Sequence, residues 1–186
     1  MALEFTHFYI KDSLAVFRYY KNLAERAMAQ VTDDQLVAVL DEESNSIALI
    51  VKHMSGNMKS RWIDFLTTDG EKPDRQRDTE FEILAGDSRD ALMQRWQTGW
   101  SALENTLGSL SNLDLDRTIT IRGEVMSARE ASLRSVTHTA YHVGQILYLA
   151  RLFQPDRKWL TIPPGQSSKF SQPYLERTSA EKQERP

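Results

Sequence analysis

Apolar side chains recur at intervals near 3.6 residues in four long stretches of this chain, the spacing of helices with one buried face. The first stretch runs from about Phe8 to Gln30, where Leu14, Phe17, Leu23, Ala24 and Ala27 keep the period. A linker follows, with one short turn expected after Thr32. The second stretch covers about Ser46 to Leu66, and Ile47, Val51, Met54, Met58, Trp62 and Phe65 line one side of it. In the third, from about Ser88 to Leu110, Leu92, Trp96, Trp100, Leu103 and Leu107 do the same. The fourth spans Ala128 to Phe153; Ser127 with Glu130 three residues later spells a capping box, and Gln154-Pro155 ends the helix.

The intervals between these stretches are punctuated differently. "TITIRGEVMS" alternates β-branched and other residues around Arg122-Gly123 and reads as a small hairpin. "TTDGEKPDRQRDTEFE" joins the second and third helices through a connection of about 20 residues, a length that marks functional loops inside compact domains. Its mixed charges read as solvated surface, and Thr67 to Phe81 as part of a pocket rim. From Asp156 onward the chain loses its period and reads as an irregular tail. The expected fold is all-α: a four-helix bundle with a small hairpin between helices 3 and 4, one domain over residues 1–175 and a charged tail at 176–186.

Composition narrows the function classes. The 186 residues are 40% hydrophobic and 26% charged with a net charge of −3, so neither nucleic acid nor an anionic membrane is an expected partner. There is no cysteine, which excludes a disulfide framework, an iron–sulfur cluster and a cysteine nucleophile. The opening "MALEFTHFYIKDSL" carries acids before any apolar run and does not read as a signal peptide, and "SIALIVKHM" is broken by Lys52 and His53. The expectation is a cytoplasmic protein.

The candidate chemistry lies in three histidines. "HTAYH" puts His138 and His142 four residues apart, on one face of the fourth helix, where two imidazoles can converge on one cation. That helix turns apolar nearly all round in its second half, through Ile146, Leu149 and Leu152, which predicts burial on more than one side. His53 lies midway along the second helix at the edge of its apolar stripe, on a face shared with Asn57 and Ser60. Bundles build metal sites from facing side chains, and three histidines without a fourth protein ligand is the pattern of a catalytic centre. Imidazole nitrogens accept zinc, nickel, copper or iron alike. His7 has no partner at useful spacing and reads as surface.

One histidine midway along helix 2 and His-x-x-x-His on helix 4 resemble the DinB/YfiT-like superfamily of metalloenzymes. More narrowly, "IVKHMSGNMKSRWIDFLTTDGEKPDRQRDTEF", "HTAYHVGQILYLARL" and "IPPGQS" are similar to its DUF1572 branch. The resemblance implies that His53, His138 and His142 form the metal triad, that the metal is divalent, zinc or nickel above others, and that the protein is a homodimer. Characterised members of the superfamily include transferases and isomerases that use low-molecular-weight thiols such as bacillithiol or mycothiol.

Two functions follow as expectations. One is a divalent-metal-dependent enzyme acting on a small-molecule substrate, as a thiol-dependent S-transferase or a related hydrolase or isomerase. Without cysteine, its thiol must come from outside. Asn57 and Gln145 would orient a ligand or support the histidines, and Arg61 and Arg134 would hold a carboxylate as a fork or else make surface ion pairs. Tyr141 and Tyr148 read as bundle packing with a wet hydroxyl, and Asp64 and Glu80 as exposed carboxylates or bases. The other expectation is a non-catalytic, metal-stabilised dimeric bundle that senses a ligand, with its four tryptophans at an interface. A DNA-binding role has no basic stripe to support it.

Overall fold

The computed structural model describes residues 3, 5, 6, 8–154, 156 and 158–173. His7 and the charged end at 176–186 lie outside the described residues. The backbone forms two compact units, Met1–Pro155 and Asp156–Pro186. The first holds α1 (Tyr9–Met28), α2 (Asp33–Val37), α3 (Ile47–Trp62), α4 (Arg89–Ser109), β1 (Thr118–Ile121), β2 (Glu124–Ser127) and α5 (Ala128–Phe153). In the second, residues 167–173 are helical, which corrects the reading of a wholly irregular tail.

Local chemistry sets most boundaries. Thr32 and Ser127 each make a full capping box, with Gln35 and Glu130, and the Ser46 and Ser88 hydroxyls accept from Leu49 N–H and Ala91 N–H. α1 lacks a side-chain cap. α3 stops at Trp62 rather than Leu66, because the chain turns at Asp64, whose φ is 51°, and Thr67 and Thr68 donate back to its carbonyl.

The four long helices pack in a ring. α3 lies chiefly against α4 and α1 against α5, and the contacts of α3 with α5 and of α1 with α4 close the ring. Chain-sequential pairs are therefore diagonal twice, α1 with α3 and α4 with α5. The linker carrying α2 crosses the first diagonal and the hairpin crosses the second. This order makes α3 and α5, the two histidine-bearing helices, direct neighbours.

The core is built from the predicted stripes. Phe17 meets Trp62 and Trp100 edge-on at centroid distances of 6.2 and 6.3 Å, and Trp96 meets Trp100 at 5.4 Å. Trp62, Trp96 and Trp100 are buried, so three of the four tryptophans are core and not interface. The second half of α5 is not buried all round: Ile146 and Leu149 are inside, but Tyr141, Tyr148 and Leu152 are exposed, the two tyrosines at 64% and 65%. An aromatic ring with a hydroxyl tolerates water at its polar end, which periodicity does not register.

The hairpin pairs Thr118 with Ser127 and Ile121 with Glu124. Arg122 and Gly123 both take positive φ, 56° and 75°, the two-residue turn that matches strand twist. Ser127 is at once the last strand residue and the cap of α5, so the hairpin sets where that helix begins. Among the described residues no helix is long and apolar enough to cross a membrane.

Candidate metal centre

Two three-residue stripes, each spaced by four, face each other across the α3–α5 contact. His53, Asn57 and Arg61 follow at i, i+4 and i+8 on α3, and Arg134, His138 and His142 do so on α5. Where the stripes meet, the three imidazoles turn their Nε2 atoms together. His138 Nε2 lies 3.3 Å from His53 Nε2 and 3.2 Å from His142 Nε2, and one ring nitrogen from each histidine falls within 4.8 Å of the other two.

Two of the outer nitrogens have partners. His53 Nδ1 lies 3.0 Å from Glu80 Oε2, and His142 Nδ1 lies 2.8 Å from Gln145 Oε1. A carboxylate and an amide oxygen are acceptors, so each Nδ1 carries the proton and donates, and each Nε2 presents its lone pair to the centre. Burial, together with the neighbouring His142 and His53, pushes the His138 pKa down to about 3, and burial lowers that of His142 as well. Both are neutral at pH 7 and free to ligate. Neutral lone pairs facing one another repel unless a cation lies between them. Two nitrogens each about 2.0–2.1 Å from a tetrahedral ion stand about 3.3 Å apart, which is the spacing found. The donor set thus fits a divalent ion held by His53, His138 and His142 with at least one position left over.

Glu80 overturns its reading as an exposed carboxylate or a base. It is 7% exposed, and besides His53 it takes Arg75 Nε on Oε1 and Arg75 Nη2 on Oε2, both at 2.8 Å. Burial opposes its charge, but the hydrogen bonds from His53 and Arg75 outweigh burial and hold its pKa below the usual value. An ionised, fully engaged carboxylate orients His53 and is not a free base. Gly56 makes room for it, since a Cβ there would stand 2.1 Å from Glu80 Oε1. Phe81 then brings its ring within 5.2 Å of the His53 ring. Asp64 is exposed and lines a different groove, between α3, α4 and the loop.

A pocket of about 220 Å³ opens on the triad beside His53 and His138. Asn57 and Arg61 form its α3 wall, Ala131, Arg134 and Ser135 its α5 wall, and Ile121 and Arg122 come from the hairpin. The loop expected at the rim supplies Arg75 and Arg77. Arg61 is largely buried, pairs with Glu71 at 3.0 Å and donates to Gly70 O. Arg134 pairs with Glu124 at 3.1 Å with both partners exposed, and still lines the pocket. Gln145 supports His142 but faces the other side, near Tyr141 and Tyr148. The sequence names Glu80 but not its burial, and it does not single out Arg75 and Arg77 as site residues. Their one signal was an apolar Phe81 closing a charged run.

Comparison with known proteins places this geometry. YfiT from Bacillus subtilis, described as a probable metal-dependent hydrolase with an unusual four-helix bundle topology, is 16% identical, aligns over 82% of this chain and 91% of its own, and has a TM-score of 0.62, which shows a shared fold. Among curated proteins, none matches the sequence. The DUF1572 profile, described as a protein of unknown function, matches residues 4–166, and the chain belongs to that family.

Proposed function

We propose that this protein is a divalent-metal-dependent enzyme that acts at an electrophilic centre of a small molecule, by hydrolysis or by transfer to an external low-molecular-weight thiol. The observation that carries the reading is the triad itself. Three Nε2 atoms converge at ligand spacing, two of their rings are locked by Glu80 and Gln145, and a pocket opens beside them. A structural site would be closed by a fourth protein ligand. A bound zinc or nickel ion would supply Lewis acidity and lower the pKa of a water or thiol brought to it.

The chain's own residues do the rest. Glu80, held by Arg75, keeps His53 in the ligating tautomer, and Gln145 does the same for His142. Asn57 offers an amide to whatever occupies the pocket, and Trp62, Phe65 and Ile121 give its lining an apolar part. The likeness to a protein described as a probable metal-dependent hydrolase favours water as the nucleophile. With no cysteine in the chain, a thiol route draws its sulfur from a cosubstrate. A cytoplasmic homodimer belongs to the same proposal, and the mass in solution by light scattering checks the dimer.

The test is elemental analysis of untagged protein purified without chelator, beside His53→Ala and His138→Ala. About one divalent ion per chain, lost in both variants, is expected. The same preparations are then assayed on p-nitrophenyl acetate with and without dithiothreitol. An ion-free wild type that takes up neither zinc nor nickel on dialysis would overturn the proposal.

A further inference from the structure

The pocket beside the triad has an unusual charge. Five arginines line it, Arg61, Arg75, Arg77, Arg122 and Arg134, and no acidic residue does. Three glutamates answer them from outside the lining. Glu71 pairs with Arg61, Arg75 and Arg122, Glu80 with Arg75, and Glu124 with Arg134. Five positive charges against three negative ones leave an excess of two, before any cation on the histidines is counted.

Two of these arginines carry unspent donors. Arg77 makes no ion pair among the described residues, and its guanidinium lies 5.1 Å above the Phe81 ring. The Arg75 side chain is 5% exposed and spends Nε and Nη2 on Glu80. Its Nη1 is buried without a hydrogen bond, 3.5 Å from the nearest Glu71 oxygen. A buried, charged donor without an acceptor is costly, and an acceptor arriving in the pocket would relieve that cost. Burial also lowers the pKa of Arg61, and the charges of Arg75 and Arg122 push the same way against its pairing with Glu71. Arg61, Arg75 and Arg122 thus share the single carboxylate of Glu71. Between the arginines, Trp62, Phe65, Ile121 and Ala131 offer apolar surface.

We infer that the substrate is a small anion, with a carboxylate or phosphate group held by the arginines and an apolar body against Trp62 and Phe65, placed so that its reactive centre meets the triad. Guanidinium forks match the two oxygens of such groups in geometry as well as charge. A volume near 220 Å³ suits a metabolite rather than a drug-sized ligand. This inference rests on the reading of the triad as a reaction centre, since that is what makes the bound anion a substrate.

The test is calorimetric titration of the full chain, chelator-treated and zinc-loaded, with phenyl phosphate, benzoate and the neutral benzamide. Wild type is compared with Arg77→Gln/Arg134→Gln, two exposed positions whose replacement spares the core. Either anion is expected to bind at least tenfold tighter than benzamide. The double variant should lose at least tenfold on the anions and nothing on benzamide. The tighter of the two anions identifies the group. Equal binding of benzamide, or anion binding unmoved by the substitutions, overturns the inference. Zinc uptake on the same samples tests the triad separately. Arginine-dependent anion binding without zinc uptake supports the oxyanion pocket and sinks the metal reading; zinc uptake without it does the reverse.

Discussion

Glu80 Oε2 and His53 Nδ1 lie 3.0 Å apart, though 27 residues separate them in the chain. The contact makes the long loop part of the triad, because the loop decides which nitrogen of His53 carries the proton. Removing such a partner typically costs 10- to 100-fold in metal affinity. Glu80→Ala should therefore weaken zinc binding by about that range, and Glu80→Gln, whose amide oxygen still accepts from Nδ1, by about tenfold or less. Competition against a chromophoric chelator measures both. Wild-type affinity in Glu80→Ala would make the contact incidental.

Gly56 tests the same relationship from the helix side. Alanine at a helical glycine ordinarily stabilises by about 1 kcal/mol. Here the new Cβ would fall 2.1 Å from Glu80 Oε1 and 2.8 Å from its Cδ, and Glu80 is fixed by two partners. Gly56→Ala should lower the melting temperature instead, and should reproduce the zinc-binding defect of the Glu80 variants. A more stable protein with intact zinc binding would show that Glu80 moves aside freely.

These two residues also mark how far the sequence could be read. Helices announce themselves by period, so the stripes of α1, α3 and α4 and the capping box of Ser127 with Glu130 were legible, as was the turn at Arg122-Gly123. The triad was legible as spacing plus a resemblance, and the helix order that brings α3 beside α5 was not. Burial of Glu80 and Arg75 was not legible either. A charged run has no period, and two opposite charges five residues apart look the same whether they face water or close on each other inside. Lys52 misled in the same way. It read as a break in an apolar run, yet its side chain is buried against Asp87.

Asp69 clamps the loop to the hairpin. Its Oδ1 accepts from Glu71 N–H at 2.7 Å and Arg122 N–H at 2.8 Å, and Oδ2 accepts from Gly123 N–H at 2.8 Å. The backbone donors of Glu71 and Gly123, followed by that of Arg122, hold its pKa well below the ordinary carboxylate value. A carboxyl group depressed on folding contributes stability above its unfolded pKa of about 3.9 and loses it as pH falls through the folded value. Asp69→Asn should thus melt a few degrees below wild type at pH 6, since one hydrogen bond of about 1 kcal/mol is worth about 2–4 °C in a chain of this size. The gap should narrow below about pH 4. A gap undiminished between pH 6 and pH 2.5 would assign the loss to shape and not to charge.

Lys52 Nζ and Asp87 Oδ2 meet at 2.6 Å, with both side chains almost wholly buried. Lys52→Met leaves the Asp87 carboxylate buried without its main partner and should cost about 3–5 kcal/mol. The double variant with Asp87→Asn removes the stranded charge and keeps an acceptor for Leu84 N–H, so it should recover part of that loss. Denaturant titrations of the four proteins in the cycle give the coupling. Additive losses would mean that the pair is not coupled.

Chelation separates an enzyme from a metal-stapled bundle. The bundle core is assembled from Phe17, Trp62, Trp96, Trp100, Leu103 and Ile146, none of which depends on the triad, and α1 and α4 complete the ring without a histidine. Removing the ion should therefore leave the helical circular dichroism unchanged. The loss of stability should be limited to linkage, about 2.7 kcal/mol when the metal had stood at 100 times its dissociation constant. Any activity on p-nitrophenyl acetate should vanish and return with zinc. If the chelated chain unfolds instead, as small zinc-dependent folds do, the triad is a staple between α3 and α5, and the open pocket beside it needs another explanation. The core counts against that outcome, because its largest side chains are buried against one another and not against a metal.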